Sequence, residues 1–233
     1  MASIVVPQRR IEYTREYSKG LAIIPMTTSE HRTINLAVLA GGAGRRLNQP
    51  CKPLVELAGK ALIQHCLDRL ENPLIAQTAV CANENPALIE RGLTCIADAQ
   101  PGFGPMSALL GAMQWCHAAN PHALLLTCPA DTPFLPTNLL TELLATWQML
   151  ELEVLVVASH GQIHPTIGLW SPALLSQRLN SYLIKEGKKS MQHWLGQCRH
   201  AVLDFTSQAP DPFFNINTPS DFEHARARLK APN

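Results

Sequence analysis

The stretch Asn35–Lys52, NLAVLAGGAGRRLNQPCK, decides how the rest of the chain is read. Its apolar run Leu36–Ala40 is short enough for a buried strand. The run breaks at Gly41-Gly42, where the lack of a Cβ lets backbone N–H groups close on an anion. Arg45, Arg46 and Lys52 then add positive charge. Strand, glycine turn and basic residues in that order point to a phosphate-handling loop, and so to a nucleotide enzyme. Two better-known phosphate motifs are absent. The Walker loop ends in Gly-Lys-Ser/Thr, and neither Gly59-Lys60 nor Gly187-Lys188 is followed by Ser or Thr. The dinucleotide fingerprint needs a third glycine where Leu47 stands. Taken alone, the loop is equally readable as a tight turn with a solvated basic face.

The totals narrow the choice. A chain of 233 residues that is 46% hydrophobic and 16% charged can bury a core as one domain or two closely packed lobes. A net charge of +1 provides no field for bulk nucleic-acid or membrane binding. Seven cysteines with no C-x-x-C pair argue against a disulfide framework or zinc ribbon, and free thiols suit a reducing cytoplasm. No apolar run reaches the roughly 20 residues of a membrane span, and the N-terminus lacks the apolar core of a secretory signal.

Residues 1–33 show no sustained periodicity and read as an N-terminal extension, partly disordered or draped over the body. From Asn35 the pattern alternates. Strand-like runs are Leu36–Ala40, Thr78–Ala82, Leu93–Ala97, Ala123–Thr127 and Val154–Ala158. Between them Ile63, Cys66, Leu67 and Leu70 share one helical face, as do Met106, Leu109, Leu110 and Met113, and Leu140, Leu143, Leu144 and Trp147. These stripes are core. Near-continuous apolar strands alternating with amphipathic helices predict a three-layer α/β/α domain with a mainly parallel central sheet.

Ligands of such sheets gather at the carboxyl ends of the strands. The polar residues found there are the Gly/Arg/Lys loop, Asn83, Asp98 and Asp131, the last between Pro129 and Pro133. Lys52 and Arg46 can offset charge that builds on a triphosphate under attack. Asp131 can hold Mg²⁺, an oxygen-seeking ion that bridges phosphates. Asn83 and Asp98 can hydrogen-bond a base or ribose. Each also has a structural reading, as a turn former or helix cap.

LAGGAGRRLNQPCKPLVELAGKALIQH resembles the opening of Rossmann-like nucleotidyltransferases, an opening that sugar-1-phosphate nucleotidyltransferases share, and this implies a nucleotide-diphospho-sugar-transferase-like fold. GFGPMSALLGAM, CPADTPFLP, HPTIGLW and FFNINTPSDFEHA, in that order, resemble the molybdenum cofactor guanylyltransferases over about residues 35–229. The resemblance implies transfer of GMP from GTP to molybdopterin in its molybdenum form, with Mg²⁺ as cofactor and release of pyrophosphate. Molybdoenzyme apoproteins or their chaperones are implied as partners. By the same resemblance Leu39, Ala40, Gly41, Gly42, Lys52, Asn83, Asp98 and Asp131 meet the nucleotide. Arg46, Lys52 and Asp131 carry the chemistry, Asp131 holds the metal, and His164, Asn215 and Asn217 bind the acceptor. The domain then divides into a nucleotide-binding half, 34–135, and an acceptor-binding half, 136–229, within a single domain spanning 34–233. CTP in place of GTP, a sugar phosphate as acceptor, and a non-catalytic nucleotide-binding adaptor of molybdoenzyme maturation are the alternatives.

Two departures stand out. The family usually has Asp-Lys-Gly where this chain has Cys51-Lys52-Pro53, which removes a carboxylate able to orient the lysine. It usually has Leu-Ala-Gly where this chain has Met106-Ser107-Ala108. In the C-terminal half, residues 151–170 read as two strands about a His160-Gly161 turn. Ser171-Pro172 opens one helix, Ser190 caps another, and Asn217-Thr218-Pro219 precedes the last. The lysines of Lys185–Lys189 read as a solvated loop or a contact for the acceptor phosphate.

Overall fold

The computed structural model describes residues 2–6, 9–13, 33–41, 51–83, 85–100, 102–187 and 190–230. Strands β1 (Ala2–Val6) and β2 (Arg9–Tyr13) precede β3 (Ile34–Leu39). A 3₁₀ turn, Lys52–Leu54, leads into the two-residue strands β4 (Glu56–Leu57) and β5 (Lys60–Ala61). There follow α1 (Leu62–Arg69), β6 (Ile75–Cys81), α2 (Pro86–Ile89), β7 (Cys95–Ile96) and α3 (Pro105–Ala119). Next come β8 (Leu124–Pro129), α4 (Leu139–Met149), β9 (Val154–Ser159) and β10 (Gln162–Trp170). The chain closes with α5 (Pro172–Glu186), α6 (Met191–Leu195), β11 (His200–Asp204) and α7 (Pro219–Lys230).

Nine strands form one sheet in the order β1-β2-β11-β9-β10-β8-β3-β6-β7. β8, β3, β6 and β7 run parallel, as do β9 and β11. β10 is antiparallel to both its neighbours, so β9 points the same way as β8. Every residue of β3, β8 and β9 is buried, because helices cover both faces of the sheet. One core cluster joins α1 and α4 to the sheet, the other α3, α5 and α6. The expected three-layer architecture is therefore present.

Several local features hold this frame. Glu153, at the foot of β9, accepts the Arg199 N–H at 2.8 Å and Arg178 Nη1 at 2.7 Å, which aligns β9 with β11. Thr127, buried in β8, accepts the Trp170 indole N–H at 2.8 Å, so neither polar group is left unpaired. β10 changes register between His164 and Gly168. A Cβ on Gly168 would lie 2.2 Å from the Leu155 carbonyl oxygen, so β9 and β10 approach this closely only with glycine there.

Some elements depart from the sequence reading. Only Cys95–Ile96 of the run Leu93–Ala97 pairs in the sheet. β11 was not foreseen, nor were the short β4 and β5. Within residues 1–33, β1 and β2 form a hairpin whose second strand pairs antiparallel with β11.

Candidate active site

The shared direction of β8, β3, β6 and β7 brings their carboxyl ends to one edge, and the residues after each strand meet there. At the end of β3, the Leu39 carbonyl accepts the Ala130 N–H and the Ala40 N–H donates to the Cys81 carbonyl, each at 3.0 Å. Gly41 is exposed, and no atom of the described residues lies within 4 Å of where a Cβ would stand. Gly42 and Arg46 lie outside the described residues.

Lys52 opens the 3₁₀ turn, and its ammonium reaches across to the loop after β8. It donates to Asp131 Oδ2 and, at 2.7 Å, to Asn217 Oδ1. The Lys52 and Asp131 side chains are only 15% and 18% exposed, so solvent screens the pair weakly. The other oxygen, Asp131 Oδ1, is buried and has no hydrogen-bond partner among the described residues. A buried carboxylate oxygen left unpaired is costly unless something else meets it.

That orphaned oxygen tests the expectation of Mg²⁺. Among the described residues, no three His, Cys, Asp or Glu side chains gather to hold a metal. Mg²⁺ is commonly bound by one or two carboxylates, with substrate phosphates and water completing the octahedron. One carboxylate whose second oxygen has no partner among the described residues fits that mode of binding. It does not fit an all-protein cage.

The segment Asn215-Ile216-Asn217 is stapled to the same loop. Ile216 is fully buried with Leu57, Leu62, Phe134 and Ala225, and its N–H donates to the Asp131 carbonyl at 3.0 Å. The flanking asparagines face different partners. Asn215 Oδ1 accepts the Thr132 hydroxyl at 2.5 Å, while Asn217 meets Lys52. Helix α7 begins just beyond. Thr218 Oγ1 accepts the Asp221 N–H, and the Asp221 carboxylate accepts the N–H groups of Asn217 and Thr218, a reciprocal cap. Burial works to raise the Asp221 carboxyl, but these hydrogen bonds outweigh it and leave the group below its ordinary value.

Asn83 and Asp98 form a second pair along the edge. Asn83 adopts a left-handed backbone (φ 51°), and its Oδ1 accepts the Asp98 N–H at 2.8 Å. The Asp98 loop is steadied from α3, where the buried Ser107 hydroxyl accepts the Gln100 N–H at 2.7 Å. Gly111 lets the helix approach, since a Cβ there would lie 2.5 Å from the Ala97 carbonyl oxygen. Ser107, one of the departures from the family pattern, thus has a local structural role.

The other departure also has a local account. Cys51 is half-buried against the core, and its Sγ accepts Asn85 Nδ2 at 3.4 Å. Lys52 is oriented by Asp131 and Asn217 instead of an adjacent carboxylate. All seven cysteines are free thiols. Burial pushes Cys66, Cys81 and Cys198 up to about 12, which removes them as thiolate nucleophiles at neutral pH.

His164 sits at the start of the β10 bulge and pairs in register with Val157 of β9. It therefore lies toward the same sheet edge as Asp131. Its Nε2 is 2.8 Å from Ser159 Oγ, which donates to Asp211 Oδ1 at 2.8 Å. Lys185 is on α5, beside a surface groove lined with Arg178 and Trp194. Lys188 and Lys189 lie outside the described residues. Thr132, Ser159, Asp211 and Ile216 had no place in the sequence reading. Ser159 follows the apolar run Val154–Ala158, so the strand-end rule that reaches Asp98 and Asp131 reaches it too.

Among the described residues no helix is long and apolar enough to cross a membrane. Residues 36–202 match the family model of the MobA-like NTP transferase domain. A molybdenum cofactor guanylyltransferase of Rhodopseudomonas palustris is 36% identical over 203 residues, covering 86% of this chain and 96% of that protein. One from Bradyrhizobium is 34% identical over 209 residues, covering 88% and 97%. Among solved structures, molybdopterin-guanine dinucleotide biosynthesis protein A from Archaeoglobus fulgidus superposes with a TM-score of 0.67 at 22% identity, over 84% of this chain and 98% of that one. A 4-diphosphocytidyl-2C-methyl-D-erythritol synthase from Anaerococcus prevotii gives 0.68 at 14% identity, over 87% and 98%. At those identities the two structures bear on the fold alone.

Proposed function

We infer that this chain, which belongs to the MobA-like NTP transferase family, transfers GMP from GTP to the phosphate of molybdopterin and releases pyrophosphate. The observation that carries the reading is the meeting of Lys52, Asp131 and Asn217 at the strand ends. It joins a cation, a carboxylate with one free oxygen, and the segment assigned to the acceptor. In the reaction an oxygen of the acceptor phosphate bonds to the α-phosphorus, the α–β bridging bond breaks, and pyrophosphate leaves. The attacking oxygen is already ionised, so no strong general base is required and positioning dominates.

Asp131 would hold Mg²⁺ through its free oxygen, and the ion would supply neutralisation of phosphate charge. The exposed Gly41 backbone would meet the triphosphate. Lys52 contributes positive charge where the reacting phosphates meet. Asn83, after β6, and Asp98, after β7, would contact the nucleoside. Asn215 is partly committed to Thr132 and orders the acceptor segment, while Asn217 links that segment to Lys52. Free thiols throughout favour a cytoplasmic setting, and the product would pass to a molybdoenzyme apoprotein or its chaperone.

The test is pyrophosphate release with GTP or CTP, each with and without molybdopterin. Release that needs both GTP and molybdopterin is expected. A preference for CTP, or tight GTP binding with no release whatever the acceptor, would replace this reading by one of its alternatives.

A further inference from the structure

Ser159, His164 and Asp211 form a hydrogen-bonded line that the phosphate chemistry does not use. Ser159 is 1% exposed and ends β9, whose carboxyl end shares the edge with Asp131. Its Oγ is 2.8 Å from Asp211 Oδ1 and 2.8 Å from His164 Nε2. A hydroxyl has one proton, and an ionised carboxylate only accepts. The serine proton therefore points to Asp211, and the serine oxygen is left to accept a proton from His164 Nε2. Asp211 is itself fixed: Oδ1 also accepts the Phe213 N–H at 2.9 Å, and its backbone carbonyl accepts Arg228 Nη1 at 2.7 Å. The imidazole packs on the Phe213 ring at 5.1 Å, and Phe213 packs edge-on to Phe205 at 5.2 Å.

We propose that Asp211, acting through Ser159, holds His164 as the Nε2–H tautomer, leaving the Nδ1 lone pair to accept a hydrogen bond from an N–H or O–H on the ring system of the acceptor substrate. Nδ1 has no protein partner among the described residues. Burial lowers the His164 pKa below its ordinary 6.5, with the Asp211 charge opposing, so the ring is neutral at pH 7 and Nδ1 is free to accept. A protonated imidazole would present only donors and would suit a phosphate. The neutral, tautomer-locked ring suits a heterocycle edge rich in donors, such as a pterin. The strap that carries Asp211 continues to Asn217, which accepts a hydrogen bond from Lys52, so the residue that holds the ring and a partner of the transfer-site lysine lie on one short length of chain. Ser159 and Asp211 are positioning residues here, because neither is placed against substrate.

That the ring is a pterin rests on the function proposed above, whereas the tautomer does not. The experiment is long-range ¹H–¹⁵N correlation of the imidazole groups in the free, full-length protein at pH 7. The His164 signal is identified among nine histidines by its loss in His164→Gln. The wild type is expected to show Nε2–H. Asp211→Ala, which frees the hydroxyl proton to turn toward His164 Nε2, is expected to shift the ring proton toward Nδ1. Ser159→Ala is expected to leave a tautomer mixture, and serves if Asp211→Ala does not fold. In steady-state assays both variants should raise KM for the acceptor about tenfold and leave KM for GTP unchanged. A wild-type ring carrying its proton on Nδ1, or a signal indifferent to both substitutions, overturns the relay. Nε2–H in a protein that transfers GMP to no pterin acceptor overturns the assignment of the ring.

Discussion

The two polar clusters at the sheet edge differ in how completely the protein satisfies them. On the nucleotide side, Asp131 has one oxygen on Lys52 and the other buried without a partner among the described residues. On the acceptor side, Asp211 Oδ1 accepts two hydrogen bonds, and the line through Ser159 to His164 is closed. One carboxylate keeps a buried oxygen without a partner among the described residues, and the other is engaged through Oδ1 in holding a side chain still. A cation with a phosphate can complete the first. The second is organised before any ligand arrives. Both adjoin the strap 211–217, anchored near its end by Ile216.

The harshest way to break this contrast is Asp131→Asn, which keeps shape and removes charge. Turnover at saturating GTP should fall roughly 10²–10³-fold, about 3–4 kcal/mol in the barrier. Unchanged turnover with ordinary Mg²⁺ dependence would remove Asp131 from the metal role. Ile216→Ala should weaken both clusters at once. The cavity should cost about 3 kcal/mol of stability in denaturant melts, with KM rising for both substrates. A loss confined to one substrate would show that the strap is not shared. Gly168→Ala sharpens the contrast, because the added Cβ meets the Leu155 carbonyl beside the His164 bulge. Roughly 1–3 kcal/mol of stability should go, with acceptor KM raised and GTP KM spared.

The smallest effect is one of pH. The folded-state pKa of His164 lies below 6.5, so the unfolded chain takes up that proton more readily. Its contribution to stability should be full above 6.5 and decline as pH falls through the window beneath it. Thermal melts from pH 7 downward should show this decline, shallower in His164→Gln. An identical pH profile in the variant would mean that the fold does not depress the His164 pKa.

Much of the fold was legible. Leu36–Ala40 and Val154–Ala158 are continuous apolar runs because both faces of their strands are covered. The helical stripes about Ile63, Met106 and Leu140 lie on helices as expected. β11 escaped notice because its apolar stretch is only Ala201-Val202-Leu203, too short for a period to declare itself. β1 and β2 escaped because their strand character depends on pairing with β11, nearly 190 residues away in the chain. In the site, Lys52, Asp98 and Asp131 were found by their place after strands. Asn215 and Asn217 came from the closing motif, and the structure distributes them between Thr132 and Lys52.

By itself, then, the amino-acid order determined the layers, the direction of the strands and the edge where polar residues collect. Those follow from periodicity and burial, which are local properties of a run of residues. Only the tertiary structure decided which side chains share a proton or a charge. Lys52 meets Asp131 across 79 residues and Asn217 across 165, and Ser159 meets Asp211 across 52. Hydrogen bonds depend on distances of a few tenths of an ångström between atoms whose separation along the chain carries no information about their separation in space.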